Sequence, residues 1–317
     1  MSTVQRPLAG FVVNVSVSES DDSQDRGFPS WQVNRMTLQL VAALFGQGAS
    51  LVFGHDWRED GVMEAVHGFA RQVQAPIPIE QSEEDGGFQP LLQNLLPWPD
   101  SPTLTDRDLE RLTATLRVSS AGLPFELADV VGRAGIADRD SDAYLYVRAR
   151  ALTFLRHRLN EVCNARLCIG GRRTRAQGRY PGIIEEALLA VREHKPLYIS
   201  GILGGAAEQV ITALNRGEMP ENFCPASNIT RLYEQPPIRE ISPETRDDRE
   251  LNSAAIWHEL GEIGYEGLSR NNGLTVDENR ELHHTRALDQ VVELVLVGIS
   301  RVRAAARGDE NRHETRD

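Results

Sequence analysis

The chain predicts an α/β fold: a doubly wound, mainly parallel sheet with helices on both faces, built as a single domain with a middle insertion. Two observations carry this expectation. Short apolar runs that read as buried strands alternate with longer segments of helical period. Polar or glycine residues fall at the ends of those runs, the edge at which parallel sheets take their ligands.

The first strand is Phe11–Val–Val–Asn–Val–Ser–Val–Ser18, which runs into the polar stretch Glu19–Ser–Asp–Asp–Ser23. A helix from Asn34 to Phe45 follows, then a second buried strand, Ala49–Ser–Leu–Val–Phe–Gly–His55, that leaves through glycine. Gly61 to Val73 reads as the next helix, with Val62, Val66 and Phe69 on one face. Glu80 to Pro102 is rich in Gln, Asp, Gly and Pro and is expected to be irregular and partly exposed. Within it, Trp98 either packs back on the core or marks a contact surface. Thr105 to Arg117 has a helix start, with Thr105 as cap and Asp108 three residues on. The insertion spans about residues 80–140.

From Asp140 to Val162, the residues Tyr144, Val147, Ala151, Phe154, Leu155 and Leu159 repeat at helical spacing. Arg148, Arg150, Arg156 and Arg158 occupy other positions of that helix, where ion pairing is the expected role for most of them. It leads into Ala165–Arg–Leu–Cys–Ile–Gly–Gly171, a buried strand and a glycine-rich turn. Gly178–Arg–Tyr–Pro–Gly–Ile–Ile–Glu–Glu186 then opens a helix with paired carboxylates, and Pro196–Leu–Tyr–Ile–Ser–Gly201 is another buried strand ending in glycine. Pro236–Pro237 and the charged run Arg239 to Glu250 read as a connecting loop before two final helices, Glu250 to Gly261 and roughly Ala287 to Ala306. Val291, Val292, Val295, Leu296 and Ile299 form a wide apolar face on the last one, suited to the sheet or to another subunit. The single domain spans residues 8–306, and residues 307–317 are expected to be a disordered polar tail.

The strand ends carry the candidate site. Ser16, Ser18, Glu19 and Ser20 lie at one exit, Gly54, His55 and Arg58 at its neighbour, and Gly170 to Glu186 with Gly201 to Gly205 complete the rim. Glycines let the backbone approach a phosphate or ribose and adopt positive φ. A helix N-terminus offers free N–H groups and partial positive charge. Arg172, Arg173, Arg175 and Arg179 crowd the same turn, and guanidinium suits bidentate phosphate contacts. Each of these features also has a structural use: glutamates in a first turn stabilise a helix without any ligand.

Composition narrows the class. The 317 residues are 40% hydrophobic and 25% charged, enough for a substantial core. A net charge of −12 argues against a nucleic-acid partner, which needs a basic surface. The arginines from Arg301 to Arg307 read as a solvated helix end. Met1 to Ala9 is polar and no stretch is long enough to cross a membrane, so neither a signal peptide nor a membrane partner is expected, and the cytoplasm is the expected location. The three cysteines, Cys163, Cys168 and Cys224, show no metal-ligand spacing. His283 and His284, adjacent on a helix, point in different directions. No metal and no cofactor are expected.

The chain resembles the SLOG (LSDAT) superfamily, whose members include LOG phosphoribohydrolases, molybdenum-cofactor carrier-like proteins, DprA and TRPM sensor domains. It looks closest to bacterial SLOG domains associated with TIR proteins and anti-phage defence. The residues that carry the resemblance are Val15 to Ser20, Leu51 to Asp56, Ala165 to Gly171, Gly178 to Glu186, Ile202 to Ala207 and Asn272 to Leu282, with Thr153 and Arg156 similar to a Thr-x-x-Arg element. The resemblance implies a Rossmann-like sheet, a site for nucleotides or nucleotide sugars and, in some members, cleavage of an N-glycosidic bond. The hydrolytic members have a Pro-Gly-Gly-x-Gly-Thr-x-x-Glu loop. Laid without gaps on Gly178 to Glu186, it keeps Gly182 and Glu185–Glu186, while Arg179 and Tyr180 stand at the glycine pair and Ile183 at the threonine.

Two functions follow as expectations. In the first, the chain senses a nucleotide-derived ligand of the ADP-ribose or cyclic ADP-ribose type. Ser16, Ser18, Glu19, Ser20, Gly54, His55, Arg58, Gly170, Gly171, Arg172, Pro181, Gly182, Glu186, Gly201, Gly204 and Gly205 form the site, Arg179 meets a diphosphate and Tyr180 stacks on a base or ribose. Its output passes through a homo-oligomer or a separately encoded effector such as a TIR protein. In the second, it hydrolyses an N-glycosidic bond, with Glu185 or Glu186 assisting water or stabilising ribosyl charge, and Arg179 or Arg172 holding phosphate.

Overall fold

The computed structural model describes residues 6–54, 62–73, 90–98, 115–134, 138–174, 176–221, 223 and 252–314. Six strands form a single sheet: β1 Val12–Ser18, β2 Ser50–Gly54, β3 Leu92–Leu96, β4 Leu116–Ser120, β5 Ala165–Gly170 and β6 Leu197–Ser200. Every pairing is parallel and the order is β4-β3-β2-β1-β5-β6. The chain therefore winds outward from β1 to β4, returns, and continues on the other side of β1. The switch point lies between β1 and β5, where carboxyl ends part to leave a crevice.

Helices cover both faces, as an all-parallel sheet requires. On one face, Val13 and Val15 of β1 and Leu167 and Ile169 of β5 pack under α1 (Ser30–Gly46), α2 (Val62–Val73), α8 (Val276–His284) and α9 (Leu288–Glu314). On the other, α4 (Asp142–Val162) lays Leu152, Leu155 and Leu159 over Val12, Val52 and Leu95. Beside it, α5 (Gly182–Arg192), α6 (Gly205–Leu214) and α7 (Ser253–Asn272) enclose Cys168 and Ile199. A 3-10 turn (Phe125–Leu127) and α3 (Ala128–Ala134) pack Leu127 and Val130 against Tyr146 and Val147 of α4, with Trp98 half-buried on that cluster.

Four expectations change. Leu92–Leu96 is a buried strand inside the stretch read as irregular, because the apolar Leu92, Leu95 and Leu96 pair with β2 and β4 whatever the polar composition around them. Leu116 and Arg117, expected to end a helix, begin β4, in which Leu116 and Val118 alternate with polar residues; residues 105–114 lie outside the described residues. The helix read to Gly261 continues to Asn272 across a break at Gly264 (φ 55°, ψ −168°). The final helix runs past Ala306 to Glu314, into the stretch read as a polar tail. Pro236–Pro237, Arg239 to Glu250 and Cys224 lie outside the described residues. No helix among the described residues is long and apolar enough to cross a membrane.

Buried His283 links pH to stability. Its Nδ1 lies 3.1 Å from the Tyr265 hydroxyl, and its backbone carbonyl accepts the Gly201 N–H (3.2 Å), tying α8 to the end of β6. Burial, with a smaller contribution from His284, pushes its pKa from the ordinary 6.5 down to about 3. Between those values the unfolded chain binds the proton and the folded one does not, so stability falls as pH falls below 6.5. Denaturant unfolding should show a loss of about 2 kcal/mol between pH 7 and 5 that is absent from His283→Gln.

Candidate functional site

A cleft of about 320 Å³ opens at the switch point. Ser16 and Ser18 of β1 and Gly54 of β2 line its base, Leu152, Leu155, Arg156 and Leu159 of α4 one wall, and the turn from Gly171 to Gly182 the rim. Phe53, Met63, Leu155 and Leu159 contribute apolar lining, and Ser18, Arg172, Thr174 and Gln177 polar lining. Arg172 is exposed at this rim and has no hydrogen bond or ion pair among the described residues. Such a combination, apolar lining with a few polar groups and a cation, is typical of small-molecule sites.

Behind the cleft, five charged side chains from four segments meet. Glu185 and Glu186 stand on the first turn of α5, where their negative charge complements the helix dipole. The Glu185 side chain, 1% exposed, accepts hydrogen bonds from Thr153 Oγ1 and Arg156 Nη1 and lies 3.6 Å from Arg179 Nε. Burial alone would raise its pKa, but the Arg156 and Arg179 guanidinium groups and the Thr153 hydroxyl outweigh burial and hold it below the ordinary value. Glu186 faces the cleft. It accepts from Ser16 Oγ, lies 2.9 Å from Arg166 Nη1 as an ion pair off the line of a hydrogen bond, and lies 3.7 Å from Arg156 Nε. Arg166 is the largest of the fully buried side chains; its Nε donates to Asn160 Oδ1 (2.9 Å) and its Nη2 to the Arg156 carbonyl (3.1 Å).

Eight of the residues expected at the site line this cleft: Ser16, Ser18, Gly54, Gly171, Arg172, Pro181, Gly182 and Glu186. Others stand behind it. Arg179, 6% exposed, is turned onto Glu185, and Tyr180, 2% exposed, packs in the apolar cluster under α5 and α6, so both side chains are engaged within the protein. The gapless placement of the family loop on Gly178 to Glu186 also needs correcting: the positive-φ glycine pair of this region is Gly170–Gly171, at the end of β5, and a longer arginine-bearing turn separates it from the helix start at Gly182. His55 and Arg58 lie outside the described residues, as does Arg175.

The far end of the expected rim is filled by the protein itself. Asp22 accepts the N–H of Gly205 at the start of α6 (3.0 Å) and pairs with Arg173 Nη2 (2.6 Å). Arg26 grips both oxygens of Glu208 at 2.7 Å and donates to the Gly201 carbonyl at 3.0 Å. Ser20 is buried with its hydroxyl on the Leu203 carbonyl, and Glu19 is half-buried outside the cleft lining. Gly201, Gly204 and Gly205 therefore pack against the segment after β1: a Cβ on Gly204 would lie 2.6 Å from Arg26 Nε, and one on Gly205 2.4 Å from Ser20 Cβ. For Asp22 too, burial raises the pKa, while the Gly205 N–H and the Arg173 and Arg26 charges bring it below its usual value.

Sequence reasoning missed Arg166, Asp22 and Arg26. An arginine inside an otherwise apolar strand was a visible signal for Arg166, since a buried guanidinium demands partners. Asp22 and Arg26 sit in a polar stretch whose fold no local pattern dictates. Among the described residues, no group of three or more His, Cys, Asp or Glu is placed to hold a metal ion.

The model of the family described as SLOG cluster2 matches residues 7–282. The chain belongs to this family. No curated protein and no solved structure matches it. SLOG membership points to nucleotide-related binding or processing, and the matched span contains both the cleft and the charge cluster behind it.

Two stability predictions follow for this SLOG protein. Glu185→Gln leaves Arg156 and Arg179 without their carboxylate and should cost about 3 kcal/mol in urea unfolding. Because the folded pKa of Glu185 is lowered, its contribution is present above about pH 4.5 and lost as pH falls through the folded value. Gly205→Ala, with φ +67° and its Cβ 2.2 Å from the Gly171 carbonyl, should cost about 2–4 kcal/mol, whereas Gly10→Ala, with φ +75° and nothing within 4 Å, should cost only about 1 kcal/mol by the same measurement.

Proposed function

We propose that this protein binds and senses a nucleotide-derived ligand of the ADP-ribose or cyclic ADP-ribose type in the β1/β5 cleft, within a bacterial anti-phage signalling system. The observation that carries the reading is the division of labour in the cleft. Arg172 stands at the rim with its guanidinium unengaged among the described residues, while Glu185 is buried in ion pairs and does not line the cleft. Recognition groups face the ligand and the buried carboxylate is committed to the fold. An anionic group would sit against Arg172 and a base or sugar against Phe53, Met63 and Leu155. The cleft volume of about 320 Å³ falls within the range of small-molecule sites. Binding then alters assembly with a second copy or with a separately encoded effector such as a TIR protein.

N-glycosidic hydrolysis is the second reading. It rests on Glu186, the one carboxylate that lines the cleft among the described residues. A carboxylate there would stabilise positive charge developing on a ribose.

Mass spectrometry of the protein after incubation with NAD, ADP-ribose, cyclic ADP-ribose isomers and nucleoside monophosphates separates the two readings. Sensing predicts an intact retained compound, and an Arg172→Ala variant that binds it at least tenfold more weakly by calorimetry with an unchanged melting temperature. Free base with ribose phosphate, abolished in Glu186→Gln, would establish hydrolysis instead. If no compound is either retained or cleaved, the nucleotide reading fails.

A further inference from the structure

Arg166 sits where the strand could have carried an apolar residue. Its neighbours on β5 are Ala165, Leu167, Cys168 and Ile169, all buried, and its own side chain is 0% exposed. Taking a guanidinium out of water costs several kcal/mol unless its donors are met, so packing alone does not favour arginine here. The side chain is held from one side only. Nε bonds Asn160 Oδ1 and Nη2 bonds the Arg156 carbonyl, both on α4, which leaves Nη1 to the ion pair with Glu186 Oε2, 2.9 Å away and off the line of a hydrogen bond.

Glu186 in turn is the carboxylate of the cleft wall, and its Oε2 is shared between Arg166 and the Ser16 hydroxyl. An ionised carboxylate only accepts hydrogen bonds. It repels phosphate and welcomes hydroxyl or amino groups. Its placement therefore orients a ligand whose anionic end lies toward Arg172. A glutamate on a helix has several rotamers, and losing any one partner would let it swing. Arg156, at 3.7 Å from Oε1, is itself committed to Glu185 and provides a weaker hold.

We propose that Arg166 is a positioning residue: out of contact with the ligand, it holds Glu186 in the orientation in which that carboxylate accepts a hydrogen bond from a hydroxyl of the bound molecule. The ligand half of this inference rests on the nucleotide-binding function proposed above. The positioning half concerns the unliganded protein and stands without it.

Five proteins test it: wild type, Arg166→Gln, Arg166→Lys, Glu186→Gln and the Arg166→Gln/Glu186→Gln double variant that completes a cycle. Gln keeps a donor for Asn160 without the charge, and Lys keeps the charge without the planar fork. Crystal structures of unliganded Arg166→Gln and Arg166→Lys should show the Glu186 carboxylate moved off Ser16 in the first and retained in the second. A carboxylate left in place in Arg166→Gln overturns the proposal, and this readout needs no ligand. Calorimetry with AMP and ADP-ribose should show a loss of tenfold or more for Arg166→Gln, partial recovery in Arg166→Lys, and no further loss in the double variant beyond Glu186→Gln alone. Losses that multiply would mean that Arg166 acts independently of Glu186 and would also overturn it. Absence of binding by wild type, with Glu186 displaced in the Arg166→Gln crystal, would count against the nucleotide reading and leave the positioning role established.

Discussion

Two adjacent glutamates hold the ligand edge of this protein together. Successive residues in the first turn of a helix point about 100° apart, so one carboxylate of α5 meets α4 and the other meets the sheet. Glu185 binds Thr153 and Arg156 on α4, and Glu186 binds Ser16 on β1 and lies against Arg166 on β5. A single helical turn thereby ties together the two strands that part at the switch point and the helix that walls the cleft. Buried ions are costly, and the cluster offsets that cost by placing two guanidinium groups within 4 Å of each carboxylate. Charges tied this tightly define a geometry more than they add stability. Replacing one partner leaves the others stranded, whereas an exposed ion pair such as Arg158 with Glu161 can be lost with little effect.

The same cluster shapes what the cleft can recognise. Three guanidinium groups face two carboxylates behind its wall, and Arg172 adds a further positive charge at its rim. The potential in the cleft is therefore set by groups at different depths: a cation exposed at the rim, and an ion-paired cluster of three guanidinium groups and two carboxylates within. An anion is stabilised where the guanidinium is free to turn toward it. A hydroxyl or amine is favoured where Glu186 presents an acceptor. The apolar lining from Phe53, Met63 and Leu155 then has only an uncharged ring to cover.

The alternation of buried strands and amphipathic helices was legible because every strand of a parallel sheet is covered on both faces and so reads as a continuous apolar run. Ala165 to Gly170 and Leu197 to Ser200 show this plainly. Leu92–Leu96 did not, because Pro90 and Pro97 and the polar segment before it dominate the local composition, and five residues carry too little signal against them. At the site, the residue types were legible and their directions were not. Arg179 and Tyr180 looked available to a ligand by their place in a glycine-rich turn, yet Glu185 and the apolar cluster under α5 draw them inward. No local rule says which way a side chain in an irregular turn will point, since that is decided by partners far away in the chain.

That lesson bears most on the segment after β1. Glu19 to Ser23 reads as a polar stretch at the exit of β1, and Gly201 to Gly205 as part of the rim of the site. In the folded chain each answers the other. Asp22 occupies the helix N-terminus as an anion would, and Arg26 closes over it to reach Glu208 and Gly201. The glycines are then required for the close approach of protein to protein, as the short distances to Ser20 and Arg26 demonstrate. Since α6 is already capped by an internal carboxylate, a ligand at the switch point gains nothing from that helix unless it displaces Asp22. Displacement would also cost Arg173 its closer carboxylate, leaving it only Asp21 at 3.5 Å. The cleft is consequently one-sided: its lining comes from β1, α1, β2, α2, α4, the turn after β5 and the start of α5, and includes no residue of β6.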